Sequence, residues 1–397
     1  MKRARFARDR LSHAAFQLQS LACCLAASGS RLEDEWLEKR LVEHIDRLLD
    51  NGNEKDLVAA LQRLTDNGNQ VAHDELAALI EGRAEAGTIQ HADKVYDLLL
   101  FAAPLLAWSR YSIPAQRVPA STLDALCQAL SETVFGSNAR LVLADFLFSP
   151  DQLPRTYCAT RKLGMELAAV TFDDSAYTID SKSMPKTSRF LSDVRYLLGV
   201  LVLPRGDAMT APPFRWNEAG KKRQTVLAQW TQVSQPLLEP RMVGCDFSSL
   251  LPNAFHTACR EVDRVAPPYS LAAAIEYLHV TLNTSIDNLC VTIAPCYDKC
   301  LEEYRVSLAV RSYGRTEVHY GLVWPILGDD EDDSAVLQDI EALLHDLGVN
   351  DVESIDHRFP VEICEDCGVP LFANREGEMV HARMPEGTDE SAAATLH

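Results

Sequence analysis

The sequence predicts an α+β protein: an N-terminal helical bundle joined to a mixed α/β body, with a small C-terminal zinc-ribbon-like hairpin. Three observations carry this expectation. Asp50-Asn51-Gly52-Asn53 and Asp66-Asn67-Gly68-Asn69 are near-identical turns that close consecutive apolar-periodic segments. From about Tyr96 the texture shifts to short apolar runs rich in Val, Pro and aromatic residues, alternating with helical runs. Near the C-terminus, Cys364-Glu365-Asp366-Cys367-Gly368 has the spacing of a tight knuckle that aims two thiolates at one metal ion. On this reading residues 1–95 form the bundle, 96–265 and 266–360 the two parts of the body, 361–384 the knuckle and hairpin, and 385–397 a disordered tail.

The elements follow in order. Leu11, Ala15, Leu18, Ala22 and Leu25 recur at helical spacing. Ser30 with Glu33 reads as a capping box opening Arg31 to Leu49, where Leu37, Leu41, Ile45 and Leu48 share one face. In each following turn the Gly suits the left-handed position after a helix, and the Asn behind it can cap the next one. Residues up to about 100 are read as helical. Leu98 to Leu106 is an apolar run that fits a helix or a strand. Ser121 to Phe135 reads as helix, Arg140 to Phe148 as strand, Tyr157 to Val170 as helix and Asp173 to Lys186 as polar loop. Strands are expected at Val194 to Leu203 and Met242 to Phe247, and helices at Lys222 to Val233, Ala254 to Val265 and Leu271 to Leu282. Leu289 to Ile293 reads as a strand. Tyr304 to Arg311 and Thr316 to Trp324 flank a turn and read as a hairpin, followed by a helix at Val336 to Leu347 and a strand near Val352 to Ile355.

A weak internal repeat runs through the body. Apolar runs ending at Pro104, Pro204 and Pro325 are each followed by a loop, a helix, an Asp-bearing segment (Asp145, Asp246 or Asp356) and a second bulky-Pro pair. Either the segments share a strand–helix–strand unit, or Pro merely ends strands and begins helices.

Composition narrows the function classes. The 397 residues carry 57 acidic and 38 basic side chains, a formal charge of -19, which repels phosphate backbones and disfavours nucleic acid as a partner. The basic clusters Lys2 to Arg10 and Lys221-Lys222-Arg223 read as solvated segments, and the acidic run Asp329 to Asp333 as a surface loop. The 11 cysteines sit mostly within apolar runs, the habit of reduced thiols in a cytoplasmic protein. His13, Gln17 and Gln19 interrupt the first apolar run too early for a secretory core, and no stretch is apolar enough to span a bilayer.

For chemistry, the knuckle leads. The stretch from Val369 to Phe372, a turn at Asn374 to Gly377, and Glu378 to Arg383 read as a hairpin, so Cys364 and Cys367 with His381 from the returning strand make a candidate zinc site. His357 is a further nearby donor, and Cys296 with Cys300 a distant pair. A redox pair is the competing reading, although C-x-x-C then belongs at a helix start, which Gly368 and Pro370 oppose; two unused thiols are the plain one. His256 and Cys259, three apart on a helix, are the best nucleophilic pair, yet Cys259 also falls at core spacing with Phe255 and Val262. Trp108-Ser109-Arg110-Tyr111 fits either a pocket at a strand end or a core edge. No P-loop, Rossmann glycine fingerprint, H-E-x-x-H or G-x-S-x-G is present.

Several strings together resemble a known family: Arg3-Ala4-Arg5-Phe6, Ala26 to Asp34, Trp108 to Pro114, Asp151-Gln152-Leu153-Pro154, Pro268-Tyr269-Ser270-Leu271, and Phe359-Pro360 ahead of the knuckle. Over nearly its full length the chain resembles the family named domain of unknown function 2863. The resemblance implies a bacterial, cytoplasmic protein and brings no activity, cofactor or catalytic residue. The expected function is therefore a non-enzymatic macromolecule-binding or regulatory protein, with a protein partner and a metal-stabilised C-terminal module. The alternative is an enzyme whose site lies in the body around Asp145, Asp246, His256 and Cys259.

Overall fold

Two repeated turns shape the N-terminal helices. In the computed structural model, which describes residues 11–136, 139–172, 177–187, 190–205, 213–314, 316–327 and 333–384, helices α1 (His13–Ala26), α2 (Arg31–Asp50), α3 (Glu54–Asp66) and α4 (Gln70–Glu85) pack as a bundle. Gly52 and Gly68 adopt φ of 67° and 68°, the left-handed conformation that ends a helix. Behind them the Asn53 N–H donates to the Leu48 carbonyl at 2.8 Å and the Asn69 N–H to that of Leu64 at 3.0 Å. The same two Asn side chains then cap α3 and α4. Leu18, Leu41, Ile45, Leu57, Leu76 and Ile80 fill the core between the helices. The Ser30 capping box does not form. Ser28 Oγ lies 3.3 Å from the Ser30 nitrogen and 3.4 Å from Glu33 Oε2, so the hydroxyl two residues earlier takes over that role.

Helix gives way to sheet earlier than the sequence suggested. Strand β1 (Ala86–His91) pairs antiparallel with β2 (Lys94–Trp108) through a two-residue turn whose Ala92 has φ 52°. Ala carries no left-handed signal, which is why the hairpin was not legible. The ambiguous run at Leu98 is thus a strand, and it is the spine of the first sheet. Next to it lies β4 (Ser192–Pro204), then β3 (Arg140–Phe148), while β5 (Asp246–Ser249) and β6 (Asn253–Ala254) share the far edge of β2 with β1. Helices α5 (Ala120–Thr133) and α7 (Arg223–Leu238) cover one face through Leu126, Leu130 and Trp230. Helix α6 (Tyr157–Val170) and the start of α8 (Phe255–Thr281) cover the other through Leu167, Phe255, Ala258 and Val262.

The first two copies of the repeat are β2–α5–β3 and β4–α7–β5. They meet antiparallel about the Leu100–Val200 pair, with Tyr96 opposite Pro204 and Pro104 opposite Tyr196. In each, one strand of the other copy lies between the two parallel strands. The third segment keeps the order strand, helix, strand, as β9 (Tyr320–Pro325), α9 (Asp333–Asp346) and β10 (Asp351–Ser354), but two strands separate its ends.

The two helices expected around Pro267 and Pro268 are one element. Proline's fixed φ suits a helix, and the cost is two missing N–H donors at a junction. That junction is where α8 passes from the first sheet to the second. Its later half buries Leu271, Ala274, Ile275 and Leu278 together with Ile340 and Leu344 of α9 against one face of β7 (Leu289–Tyr297) and β8 (Leu301–Val310). Sheet order is β10-β7-β8-β9, with β11 (Phe359–Pro360) continuing beside β7. The opposite face carries Thr292, Ala294, Cys296, Ser307 and Gly321, and the C-terminal hairpin of β12 (Phe372–Ala373) and β13 (Met379–Val380) closes over part of it.

Carboxylates at helix starts pin the bundle to the body. Glu54 accepts the N–H groups of Tyr157 and Cys158 at 3.1 and 2.9 Å, and Glu85 accepts that of His256 at 2.8 Å. The basic stretch from Lys2 to Arg10, the acidic residues 329–332 and the tail from 385 lie outside the described residues. No described helix is long and apolar enough to cross a membrane.

Candidate metal centre

The knuckle is a turn built by its own backbone. The Gly368 N–H donates to the Cys364 carbonyl and the Cys364 N–H to that of Val369, both at 2.8 Å. Gly368 has φ 73°, so a side chain there is strained. Ile363 and Pro370 form a bridge, and the Leu371 N–H reaches the Glu362 carbonyl at 3.2 Å, which closes the loop. Beneath it the buried Arg305 guanidinium donates to the carbonyls of Glu362 and Leu371 and pairs with Glu303 at 2.8 Å.

The third donor arrives from the returning strand. Asn374 is buried and its Oδ1 accepts the N–H groups of Glu376 and Glu378 at 2.9 and 3.0 Å, so the turn between β12 and β13 is fixed. His381 follows β13 directly; beyond it Ala382 is buried and the Arg383 N–H donates to the Val318 carbonyl at 2.7 Å. Held on both sides, His381 converges on Cys364 and Cys367, and the ligand atoms of all three lie within 4.8 Å of one another. Tetrahedral zinc at ~2.3 Å from each sulfur places two thiolates roughly 3.8 Å apart, so the sulfurs need draw in by about 1 Å at most to share one ion. Two thiolates and an imidazole suit zinc. The Cys364 thiol is held below its ordinary value because the backbone N–H of Cys367, then that of Asp366, points at its sulfur.

Beside the expected metal, this region has a core of its own. Phe372 is fully buried with Val318 and Ala382, and its ring stands 2.4 Å from where a Cβ on Gly321 would lie. Only glycine at 321 leaves room for it. The residues that anchor the hairpin, Phe372, Gly321 and Arg305, gave no sign in the sequence, because the contact depends on pairing across β8 and β9.

The other candidates scatter. His357 packs edge-on against Phe359 at 4.9 Å and is not among the converging donors. Cys296 is buried in β7 and Cys300 exposed at the β7–β8 turn, so neither completes the site. On α8, burial pushes the Cys259 thiol up to about 12, and burial lowers the His256 imidazole, which opposes a thiolate–imidazolium pair. Asp145 and Asp246 stand on strands at opposite edges of the first sheet, the former held by Arg117 at 2.5 Å and the Ile179 N–H at 2.8 Å, the latter by Trp108 Nε1 at 3.3 Å. Ser109 is buried and bonds the Gly244 carbonyl at 2.8 Å, as a core edge does. A further polar cluster escaped sequence reasoning: Asp351 accepts from Arg311 at 2.8 Å, from Arg375 and from the Cys290 thiol at 3.3 Å. Those arginines hold its carboxyl well below the usual range. Its three partners Cys290, Arg311 and Arg375 line a small cavity between the second sheet and the hairpin turn.

No curated protein and no solved structure matches the chain. A family model described as a protein of unknown function (DUF2863) matches residues 3–395. That covers nearly the whole length, and the chain belongs to this family.

Proposed function

We propose that this chain is a non-enzymatic macromolecule-binding or regulatory protein whose zinc-ribbon-like C-terminal knuckle holds one zinc ion through Cys364, Cys367 and His381. The observation that carries the reading is the convergence of those three donors from two separately fixed turns. A contact role is supported by what surrounds them: Val361 and Ile363, 37% and 55% exposed, present apolar surface beside the metal ligands. Against the enzymatic alternative stand the half-buried Cys259, whose thiol desolvation pushes up to about 12, and the separation of Asp145 from Asp246. Against a redox pair stands the knuckle's turn, which opens no helix whose dipole would activate a thiol. The test is affinity capture from the native cell with the wild-type chain and Cys364→Ser in parallel. A protein partner retained by the wild type and lost from the variant is expected; identical captures from both would refute a contact made through the knuckle.

A further inference from the structure

A structural zinc site is closed by four protein donors and is needed for the fold around it, whereas a site that binds ligands keeps a position open. Both criteria bear on this centre. Among the described residues three donors converge and no fourth joins them, and Cys367 is exposed. The hairpin that supplies His381 is anchored by Phe372 on Gly321, so the fold does not demand a closed site.

Charge then selects the ligand. Two thiolates cancel a divalent ion and His381 adds nothing, so the centre is neutral. Around it Glu362, Glu365 and Asp366 are exposed carboxylates, opposed by Arg383, while the Arg305 guanidinium beneath the knuckle is paired with Glu303, in a chain of net charge -19. An anionic fourth ligand makes the centre negative within this field, and a neutral nitrogen donor does not. Resting on the zinc reading above, we infer that the ion keeps an exchangeable fourth position that takes a neutral imidazole, the side chain of a histidine presented by the partner.

The probe is imidazole itself, titrated into the full-length chain loaded with Co(II) in place of zinc and free of any histidine tag. One Co(II) per chain is expected, with visible bands that shift saturably on adding imidazole; azide should bind about tenfold more weakly. Bands that ignore imidazole while the metal stays bound would overturn the inference and leave the metal centre standing. Azide binding as tightly as imidazole, or imidazole stripping the metal out, would overturn it too. If no Co(II) binds at all, the zinc reading falls with it. The double variant Glu365→Gln, Asp366→Asn should bring the two affinities together; an unchanged ratio would show that charge does not select the ligand.

Discussion

Replacing Phe372 by Ala separates two explanations of what holds the C-terminal region. The ring is fully buried on Gly321, and truncating a buried Phe costs about 3–5 kcal/mol. Here the loss falls on local opening of residues 372–384, because the first sheet and the bundle have separate cores. At 1.4 kcal/mol per tenfold, amide protection should fall by about a hundredfold to a few thousandfold at Asn374, Glu378 and Arg383, whose N–H groups are bonded in the native hairpin. Hydrogen exchange read residue by residue, with zinc present, is the assay. Cys364→Ser in the same assay should loosen residues 361–371 and leave those three amides within about threefold of wild type. Protection unchanged in Phe372→Ala, or lost equally in Cys364→Ser, would refute the packing account and return the hairpin's stability to the metal.

Two further predictions concern the junction of bundle and body. Burial pushes the Glu85 carboxyl up to about 7 from an ordinary 4.5, so between those values the folded chain holds a proton that the unfolded chain has released. Stability contributed by this group is therefore greatest in acid and declines as pH rises toward 7, by an amount on the order of a few kcal/mol. Glu85→Gln keeps an oxygen for the His256 N–H and should flatten that slope in urea unfolding at several pH values; an unaltered slope assigns it elsewhere. Mapping of iodoacetamide adducts at mild alkaline pH should find Cys24, Cys300 and Cys367 labelled in the metal-free native chain while Cys259 stays unmodified, since it is half-buried and desolvation pushes its thiol up to about 12. Rapid labelling of Cys259 would reopen the nucleophilic reading of α8.

What the sequence made legible was local. The Asp-Asn-Gly-Asn turns carry both the left-handed residue and the next cap in four letters, so the bundle could be read directly. The knuckle is the same kind of signal, and His381 followed from the hairpin's return. What stayed hidden depends on partners far along the chain. Ala92 takes the left-handed position of its hairpin turn, with only Asp93 beside it as a turn residue, because long antiparallel pairing beyond it over-determines the bend. Pro267 and Pro268 read as a break, but both halves of α8 are fastened to different sheets and the helix continues through them. Arg305, Phe372 and Gly321 look unremarkable in sequence and become an anchor only when β8, β9 and the hairpin are stacked.

Metal content of the native chain tests the central claim most directly. Purified without chelator or added metal, the wild type should carry close to one zinc per chain, and Cys364→Ser, Cys367→Ser and His381→Ala should each lose most of it while keeping the wild-type circular dichroism of the bundle and sheets. A wild type free of zinc and unable to take it up, or a His381→Ala variant that retains it fully, would contradict the account.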